Sequence, residues 1–317
     1  MYIQTKLFVL AISVIILVNN TGCNKQPAID EEVMLDGDNI YDPSITDSAK
    51  YLVSAAIPDP SQLQKETPVV IAVHGYSATT FEWDEFRQWS DSIGKYYVSQ
   101  VLLGGHGRDY EAFKKATWQD WQQPIIDEYK KLDAKGFQKI SLIGSSTGCP
   151  LILNLVYSGK ISICRNPKHI LFIDPIIIPS NKSLTLVDFV GPAIGYAKAN
   201  LDSGEQGHWY QYRPQESLNQ LLDIITLVRK KLEDGITLPQ NTTLKVYKAE
   251  KDNSADPISA VLLYKGVKNS NGSHISVEMV NSSLHVFTRL KGRNIVTSKD
   301  KVLQIKTFED IASIIEN

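Results

Sequence analysis

The stretch KISLIGSSTGCPLILNLVYSGK, residues 139–160, decides the fold. Residues 140–143 have the character of a buried strand, and residues 150–157 that of a helix ended by Gly159. Between them lies G-S-S-T-G, a match to G-x-S-x-G. In that motif a sharp turn from strand to helix raises the central serine above a sheet. A bare match also arises by chance in Gly/Ser-rich turns, but the flanking strand and helix favour a nucleophile elbow with Ser146 as the nucleophile.

The first 22 residues have the pattern of a signal peptide. A positively charged start precedes residues 7–18, an uncharged apolar run shorter than the ~20 residues that a bilayer span needs. The segment NTGC, residues 20–23, resembles the lipobox of bacterial lipoproteins, although Asn20 stands where an aliphatic residue is usual. We expect a lipoprotein signal peptide over residues 1–22, a lipid on Cys23, and export to the periplasmic or cell-surface face of a membrane. Plain secretion and an uncleaved anchor are the alternatives.

The rest of the chain divides into a short tether and one large domain. Residues 24–47 contain seven acidic residues and few large apolar ones, which predicts a solvated acidic tether over residues 23–47. Residues 48–317 are enough for one domain with a sizeable core. The net charge of −2, with mixed signs, provides no basic stripe and argues against a nucleic-acid partner.

Two further cysteines are predicted to stay unpaired. Cys149 opens the helix after the elbow and Cys164 lies beyond its far end, so about ten helical residues, with a rise of 1.5 Å each, separate them. A disulfide tolerates only ~6 Å between Cα atoms. We therefore interpret both as small core residues.

Apolar strands alternate with amphipathic helices through the domain. Strand-like runs occupy residues 69–73, 96–103, 140–143, 170–173, 244–247 and 275–279, and helical faces span residues 118–132 and 218–232. This pattern predicts an α/β fold, with a mostly parallel central sheet covered by helices on both faces and an active site at the C-terminal ends of the strands. From about residue 176 to 215 the alternation gives way to apolar and aromatic residues. We interpret that insertion as a small cap, with ordinary surface helices as the alternative.

The loop after the first strand begins with His74, Gly75 and Tyr76. A glycine there lets the chain turn so that the next N–H points toward the serine. We therefore predict that the backbone N–H groups of Tyr76 and of Thr147, the residue after the nucleophile, form an oxyanion hole. His74 and His106 lie in glycine-containing loops and are interpreted as structural residues.

Three aspartates compete for the role of triad acid. Asp174 ends the strand after the elbow helix, but the proline and apolar residues that follow are typical of a chain leaving the sheet. Asp256 precedes a proline and a helix-like segment, which suits a helix N-cap. Asp252 follows its strand directly and has no such local role. We therefore favour Asp252.

His285 is the predicted general base. It lies in a polar loop past the last strand, where an imidazole can reach the elbow serine. Of the other histidines outside the two glycine-containing loops, His169 and His274 begin strands and His208 lies in the cap segment. The order serine, aspartate, histidine is the one found in the G-x-S-x-G hydrolases.

The sequence resembles the α/β-hydrolase superfamily, and within it the serine carboxylesterases and monoacylglycerol-lipase-like hydrolases with a small cap. The resemblance runs from about residue 69 to the C-terminus and rests on V-H-G-Y, G-G-H-G, I-G-S-S-T-G, A-E-K-D and S-S-L-H, in that order. It implies ester hydrolysis through an acyl-enzyme on Ser146, without metal or cofactor. The expected substrate is a small ester with an apolar acyl or alcohol part. Alternatives are hydrolysis of a thioester, amide or C–C bond, and a surface binding lipoprotein without activity.

Overall fold

The computed structural model describes residues 40–180 and 195–317. Its central sheet is formed by β1 (Val69–Val73), β2 (Tyr97–Val101), β3 (Ile140–Ser145), β4 (His169–Ile173), β5 (Thr243–Ala249) and β6 (Ser276–Val280). The strands are all parallel and lie in the order β2-β1-β3-β4-β5-β6. The sheet therefore agrees with the predicted one, with strand ends that differ from the expected ones by one or two residues.

Helices cover both faces of this sheet. The longer ones are α1 (Asp84–Ile93), α2 (Trp118–Ala134), α3 (Gly148–Tyr157), α4 (Gln215–Asp234), α5 (Ile258–Gly266) and α6 (Ser298–Glu316). Shorter helices span Ser48–Tyr51, Val53–Ala56, Gln62–Glu66 and Tyr110–Lys115, and single 3₁₀ turns span Pro43–Ile45 and Thr80–Trp83. The helix after the elbow begins at Gly148, two residues before the predicted start at Pro150.

Two hydrophobic cores follow the alternation of side chains along each strand. In β1, Val69, Ile71 and Val73 pack with α2, α3 and α4, whereas Val70 and Ala72 pack with α1 and α6. Every residue of β1 is buried, because helices lie on both sides of the sheet. Such two-sided burial explains why the strands of this chain are continuous apolar runs.

The sheet order creates a crevice between β1 and β3. From β1 the chain first adds β2 on one side and then returns to add β3 on the other. The connections that follow β1 and β3 therefore diverge, and ligands of open α/β sheets bind at such a switch point. Val73 pairs with Gly144, so the loop after β1 lies directly beside the elbow.

The residues before the first helix pack on the domain. Asp42 Oδ2 accepts hydrogen bonds from the N–H and hydroxyl of Thr80 at 2.9 and 2.6 Å, and the Asp42 N–H donates to the Gly107 carbonyl at 2.8 Å. Ile40 is buried as well. The packed region thus begins before the predicted end of the tether at residue 47, because Asp42 is a buried anchor and not a solvated charge.

The predicted signal peptide, Cys23 and most of the tether lie outside the described residues. In the part of the chain that the structure describes, no helix has the length and apolar character required to cross a membrane. Cys149 is buried, Cys164 is half-buried, and both are free, so the prediction that they do not pair is confirmed.

The described part of the predicted cap contains a two-stranded antiparallel ribbon, Tyr196–Lys198 with Tyr212–Pro214. The N–H of Tyr210 donates to the Ser77 carbonyl at 2.9 Å, and the Tyr210 ring stacks on Phe113 at 4.2 Å. This segment therefore contacts the loop that follows β1. Residues 181–194, which include several of the apolar residues that suggested a cap, lie outside the described residues.

Candidate active site

Ser146 occupies the strained turn between β3 and α3. Its φ of 47° is in the left-handed region, where a non-glycine residue costs about 1–2 kcal/mol. The Ser146 N–H donates to the Ile173 carbonyl at 3.0 Å, which ties the turn to β4. A Cβ at Gly148 would lie 2.4 Å from the Val73 carbonyl oxygen, so only glycine fits there. The turn has the geometry of a nucleophile elbow.

The two adjacent serines have different surroundings. The Ser145 hydroxyl is completely buried and donates to Glu82 Oε1. Ser146 lines a cavity of about 460 Å³ at the C-terminal end of the sheet. Only the second serine, the central residue of the motif, is therefore placed to meet a ligand.

Asp252 and His285 form a hydrogen-bonded pair at the same end of the sheet. His285 Nδ1 lies 2.8 Å from Asp252 Oδ2, and His285 lines the cavity together with Ser146. Asp252 Oδ1 accepts from the N–H groups of Ser254 and Ala255 at 2.7 and 3.0 Å. A carboxylate acceptor at Nδ1 favours the tautomer with its proton there and leaves the Nε2 lone pair available to a substrate or nucleophile.

Sequence reasoning missed a buried lysine beside this pair. Lys248 Nζ lies 2.6 Å from Asp252 Oδ2 and 3.0 Å from Asp174 Oδ1, and the three side chains have no exposed surface. Asp174 Oδ1 also accepts the Ala249 N–H at 2.7 Å. The available signal was a lysine near the end of an apolar strand, four residues before an aspartate. Asp174 thus lies in the network, but it is Asp252 that bonds to His285.

Burial and neighbouring charges shift the pKa values of Asp252 and Asp174 in opposite directions. Burial by itself would raise the pKa of Asp252, but the hydrogen bonds and charges of His285 and Lys248 outweigh it and lower that pKa well below its usual range. Burial is the dominant influence on Asp174 and raises its pKa, with Lys248 opposing the shift and Asp252 adding to it. Asp252 is therefore the ionised partner that an imidazolium requires.

The same three groups have the spacing of metal ligands. One atom each of Asp174, Asp252 and His285 lies within 4.8 Å of the others. However, the Lys248 ammonium already occupies the place between the two carboxylates, and Asp252 Oδ2 is bonded to both Lys248 and His285. A second cation there would meet an ammonium at close range. The donor set therefore fits an ion-pair network and does not fit a metal.

Tyr76 and Thr147 both line the cavity beside Ser146. Within residues 40–180 and 195–317, neither backbone N–H donates to another residue, so both remain available to a ligand. The loop that presents Tyr76 is fixed by Glu82, whose Oε1 accepts the Gly75 N–H at 2.8 Å. A Cβ at Gly75 would lie 3.1 Å from the Ser146 Cβ, which shows how closely this loop passes the serine.

The other histidines and the aspartate that the sequence analysis considered have hydrogen bonds or ring contacts outside the Ser146–His285–Asp252 group. His74 is buried, with Nε2 accepting the Leu103 N–H at 3.1 Å and Nδ1 2.9 Å from the Gly75 carbonyl. The His106 ring lies 5.2 Å from that of His74. Asp256 Oδ1 accepts the N–H of Ile258, the first residue of α5, at 2.9 Å. His169 lies at the start of β4, at the end of the strands opposite the site, 2.8 Å from the Thr243 hydroxyl.

The cavity wall combines apolar and charged side chains. Its apolar members include Ile176, Trp209, Leu218 and Leu221. Its charged members include Glu82, Lys198, Glu205, Arg213, Arg289 and Arg293. The sequence predicted an apolar cap over the site, whereas the cavity wall is apolar only in part.

No family model matches the chain. The chain is 24% identical over 247 residues to a carboxylesterase from Bacillus subtilis, with 75% of this chain and 93% of the relative covered. It is 24% identical over 231 residues to a thermostable monoacylglycerol lipase from a Bacillus species, with 69% of this chain and 83% of the relative covered. Among solved structures, a soluble variant of a monoglyceride lipase from Saccharomyces cerevisiae matches with a TM-score of 0.63 at 12% identity, covering 81% of this chain and 88% of that one.

These similarities and the parallel sheet confirm the predicted α/β-hydrolase fold. Both sequence relatives are ester-hydrolysing enzymes by name, and the chain matches most of the length of each. The prediction of an ester-hydrolysing enzyme is therefore confirmed.

Proposed function

We propose that the protein is a serine hydrolase that cleaves carboxylic esters by means of Ser146, His285 and Asp252. The observation that supports this most directly is the 2.8 Å contact between His285 Nδ1 and Asp252 Oδ2, beside the cavity that Ser146 lines. An aspartate that orients a histidine next to an elbow serine is the arrangement that activates a hydroxyl for acyl transfer.

In the proposed reaction His285 Nε2 removes the proton of the Ser146 hydroxyl while the oxygen attacks the ester carbonyl carbon. The N–H groups of Tyr76 and Thr147 bind the resulting oxyanion, and one such donor lowers the activation free energy by roughly 3 kcal/mol. The protonated imidazole, stabilised by Asp252, then gives its proton to the departing alcohol. A water molecule then attacks the acyl-enzyme by the same two proton transfers, which releases the carboxylic acid and regenerates Ser146.

The proposed substrate is a small ester with an apolar part. Ile176, Leu218 and Leu221 line the cavity with Ser146 and provide an apolar surface for an acyl chain. Each CH₂ buried there contributes about 0.8 kcal/mol, so activity should rise with chain length until the space is filled. The names of the two sequence relatives agree with this substrate class.

A hydrolysis screen of p-nitrophenyl esters of graded chain length tests the proposal. Ser146→Ala and His285→Ala should each lower kcat by about 10⁴-fold or more, because triad members act as a unit. A fluorophosphonate probe should label the wild type and Ser145→Ala, the matched control, but not Ser146→Ala. Labelling that disappeared with Ser145 instead, or turnover of thioesters or amides without turnover of esters, would contradict the assignment.

We also propose that the enzyme is exported and attached to a membrane through a lipid on Cys23. Support comes from the sequence: a twelve-residue apolar run, two small residues before the cysteine, and an acidic segment after it. Lipid attached to one cysteine gives stable anchoring when it comprises more than one acyl chain. Such attachment would hold the domain near esters that partition into the membrane.

A further inference from the structure

Among the residues that the structure describes, three arginines line the cavity, and two of them have hydrogen-bond or ion-pair partners. Arg289 Nη2 lies 2.6 Å from Glu205 Oε1, and the Arg289 guanidinium lies over the Trp209 ring at 4.6 Å. Arg293 donates to the His285 carbonyl and, through Nε, to the Arg289 carbonyl at 2.8 Å. The Arg289 guanidinium therefore links the wall residues Glu205 and Trp209, and the Arg293 guanidinium fixes the backbone of the segment that begins at His285.

Arg213 has no such partner. Within residues 40–180 and 195–317, its guanidinium has no hydrogen bond and no ion pair, and its Nε is buried without an acceptor. The Arg213 guanidinium lies over the Tyr76 ring, whose centroid is 5.7 Å from the Arg213 Cζ. Burial lowers the pKa of Arg213, yet a guanidinium stays charged in proteins. A partly desolvated charge without a counterion is unfavourable until an anion pairs with it.

The acids of the cavity do not neutralise Arg213. Glu205 is bonded to Arg289, and Glu82 accepts from Gly75 and Ser145. Within residues 40–180 and 195–317, the cavity wall contains three guanidinium groups, those of Arg213, Arg289 and Arg293, against the two carboxylates Glu82 and Glu205. The described part of the cavity wall therefore has more guanidinium groups than carboxylates, which favours an anionic ligand.

We propose that Arg213 binds an ionised carboxylate or phosphate group elsewhere in the ester substrate. The planar guanidinium matches both groups because it can donate two parallel N–H bonds. Tyr76, whose ring Arg213 covers, belongs to the loop beside Ser146, so the anionic group would lie in the same cavity as the reacting ester. This inference rests on the proposed function and narrows its substrate class to esters that carry a second, ionised acid group.

Two matched pairs of esters test the inference and separate the possible positions of the anion. Monomethyl adipate against methyl hexanoate places the charge on the acyl side, and butyrylglycerol phosphate against butyrylglycerol places it on the alcohol side. The wild type should prefer the anionic member of at least one pair by about 10-fold to 100-fold in kcat/KM, the range expected for one charge-assisted contact. Arg213→Met should remove most of that preference through KM, and Arg213→Lys should retain part of it.

Arg165→Met is the matched control, since Arg165 is exposed, pairs with Asp133 at 3.0 Å and does not line the cavity. It should keep the full preference. Wild-type enzyme that hydrolyses both members of each pair with equal kcat/KM, or a preference that survives Arg213→Met, would overturn the inference. Thermal unfolding and the Arg213→Lys variant identify a preference that was lost through misfolding.

A binding measurement keeps the inference separate from the proposed function. The Ser146→Ala variant, which cannot turn over an ester by the proposed route, should be stabilised against thermal unfolding by monomethyl adipate or by butyrylglycerol phosphate. The stabilisation should be lost in Ser146→Ala combined with Arg213→Met. Stabilisation of this kind, in an enzyme that hydrolyses none of the four esters, would support the anion site and reject ester hydrolysis. Hydrolysis of the neutral esters with no anion-dependent stabilisation would do the opposite.

Discussion

Lys248 Nζ lies 2.6 Å from Asp252 Oδ2, the same oxygen that lies 2.8 Å from His285 Nδ1. The Lys248 and Asp252 side chains have no exposed surface, so this contact is a buried ion pair at the centre of the site. Because the ammonium also reaches Asp174 Oδ1 at 3.0 Å, one cation holds two carboxylates that would otherwise repel each other. Lys248 is therefore a positioning residue for Asp252.

Replacing Lys248 should harm both stability and catalysis. Lys248→Met leaves two carboxyls buried without their cation, and loss of one partner from a buried pair costs about 3–5 kcal/mol. We expect a loss of that size in the free energy of unfolding, measured with urea, and at least a tenfold fall in kcat. Lys245→Met is the control, because Lys245 lies in the same strand but pairs with Glu278 and Asp310, which are both partly exposed. Equal behaviour of the two variants would contradict the positioning role.

Replacement of the three candidate aspartates by asparagine should have different effects on kcat. Asp252→Asn should lower kcat by about 10⁴-fold with the fold intact, because an amide favours the wrong tautomer of His285. Asp256→Asn should keep nearly normal kcat, since Asn serves almost as well at the start of α5. Circular dichroism and ester hydrolysis of the purified variants measure both effects. Near-normal activity of Asp252→Asn, with Asp256→Asn or Asp174→Asn inactive, would show that the acid is assigned wrongly.

Stability should fall in acid because of Asp252. Its folded-state pKa is lowered below the unfolded value of about 3.9, so its contribution is complete above that pH and is lost as the pH falls toward the folded value. Asp174 acts in the opposite sense, since its pKa is raised by burial. The difference between wild type and Asp252→Asn isolates the first effect. We expect the unfolding free energy of the wild type to drop more steeply, by on the order of 1–3 kcal/mol between about pH 5 and pH 2.

Attachment through Cys23 predicts a separable effect of its replacement. Cys23→Ser should impair processing or release the protein from the membrane, and should leave hydrolysis of a soluble ester by the purified domain unchanged. Metabolic labelling with a fatty-acid analogue, in a bacterial host with lipoprotein machinery, gives the measurement. Wild-type protein that took up no label there would favour simple secretion.

The sequence by itself determined the parallel sheet, the elbow at Ser146 and the few aspartates and histidines that could serve as the acid and base of the site. These features are local, because the strand–turn–helix pattern, the glycines and the apolar periodicity are all contained within about twenty residues. His285 could be selected by elimination, since each other histidine had a position that suited a different role. The same local reasoning assigned Asp42 to a solvated tether, because nothing near it in the sequence reveals its bonds to Thr80.

Only the tertiary structure decided which charges are paired. Asp174 follows β4, Lys248 lies in β5 and His285 lies in the loop after β6, so their proximity depends on these three strands being neighbours in the sheet. The choice between Asp252 and Asp174 changed from a matter of loop position to one of hydrogen bonds around a single ammonium. Likewise, the sequence shows that the three arginines are present but not which of them is paired. In the structure, Arg213 differs from Arg289 and Arg293 because it has no acceptor within the described residues. The pairing of a charge depends on distances of a few ångströms between residues far apart in the chain, and sequence spacing does not determine those distances.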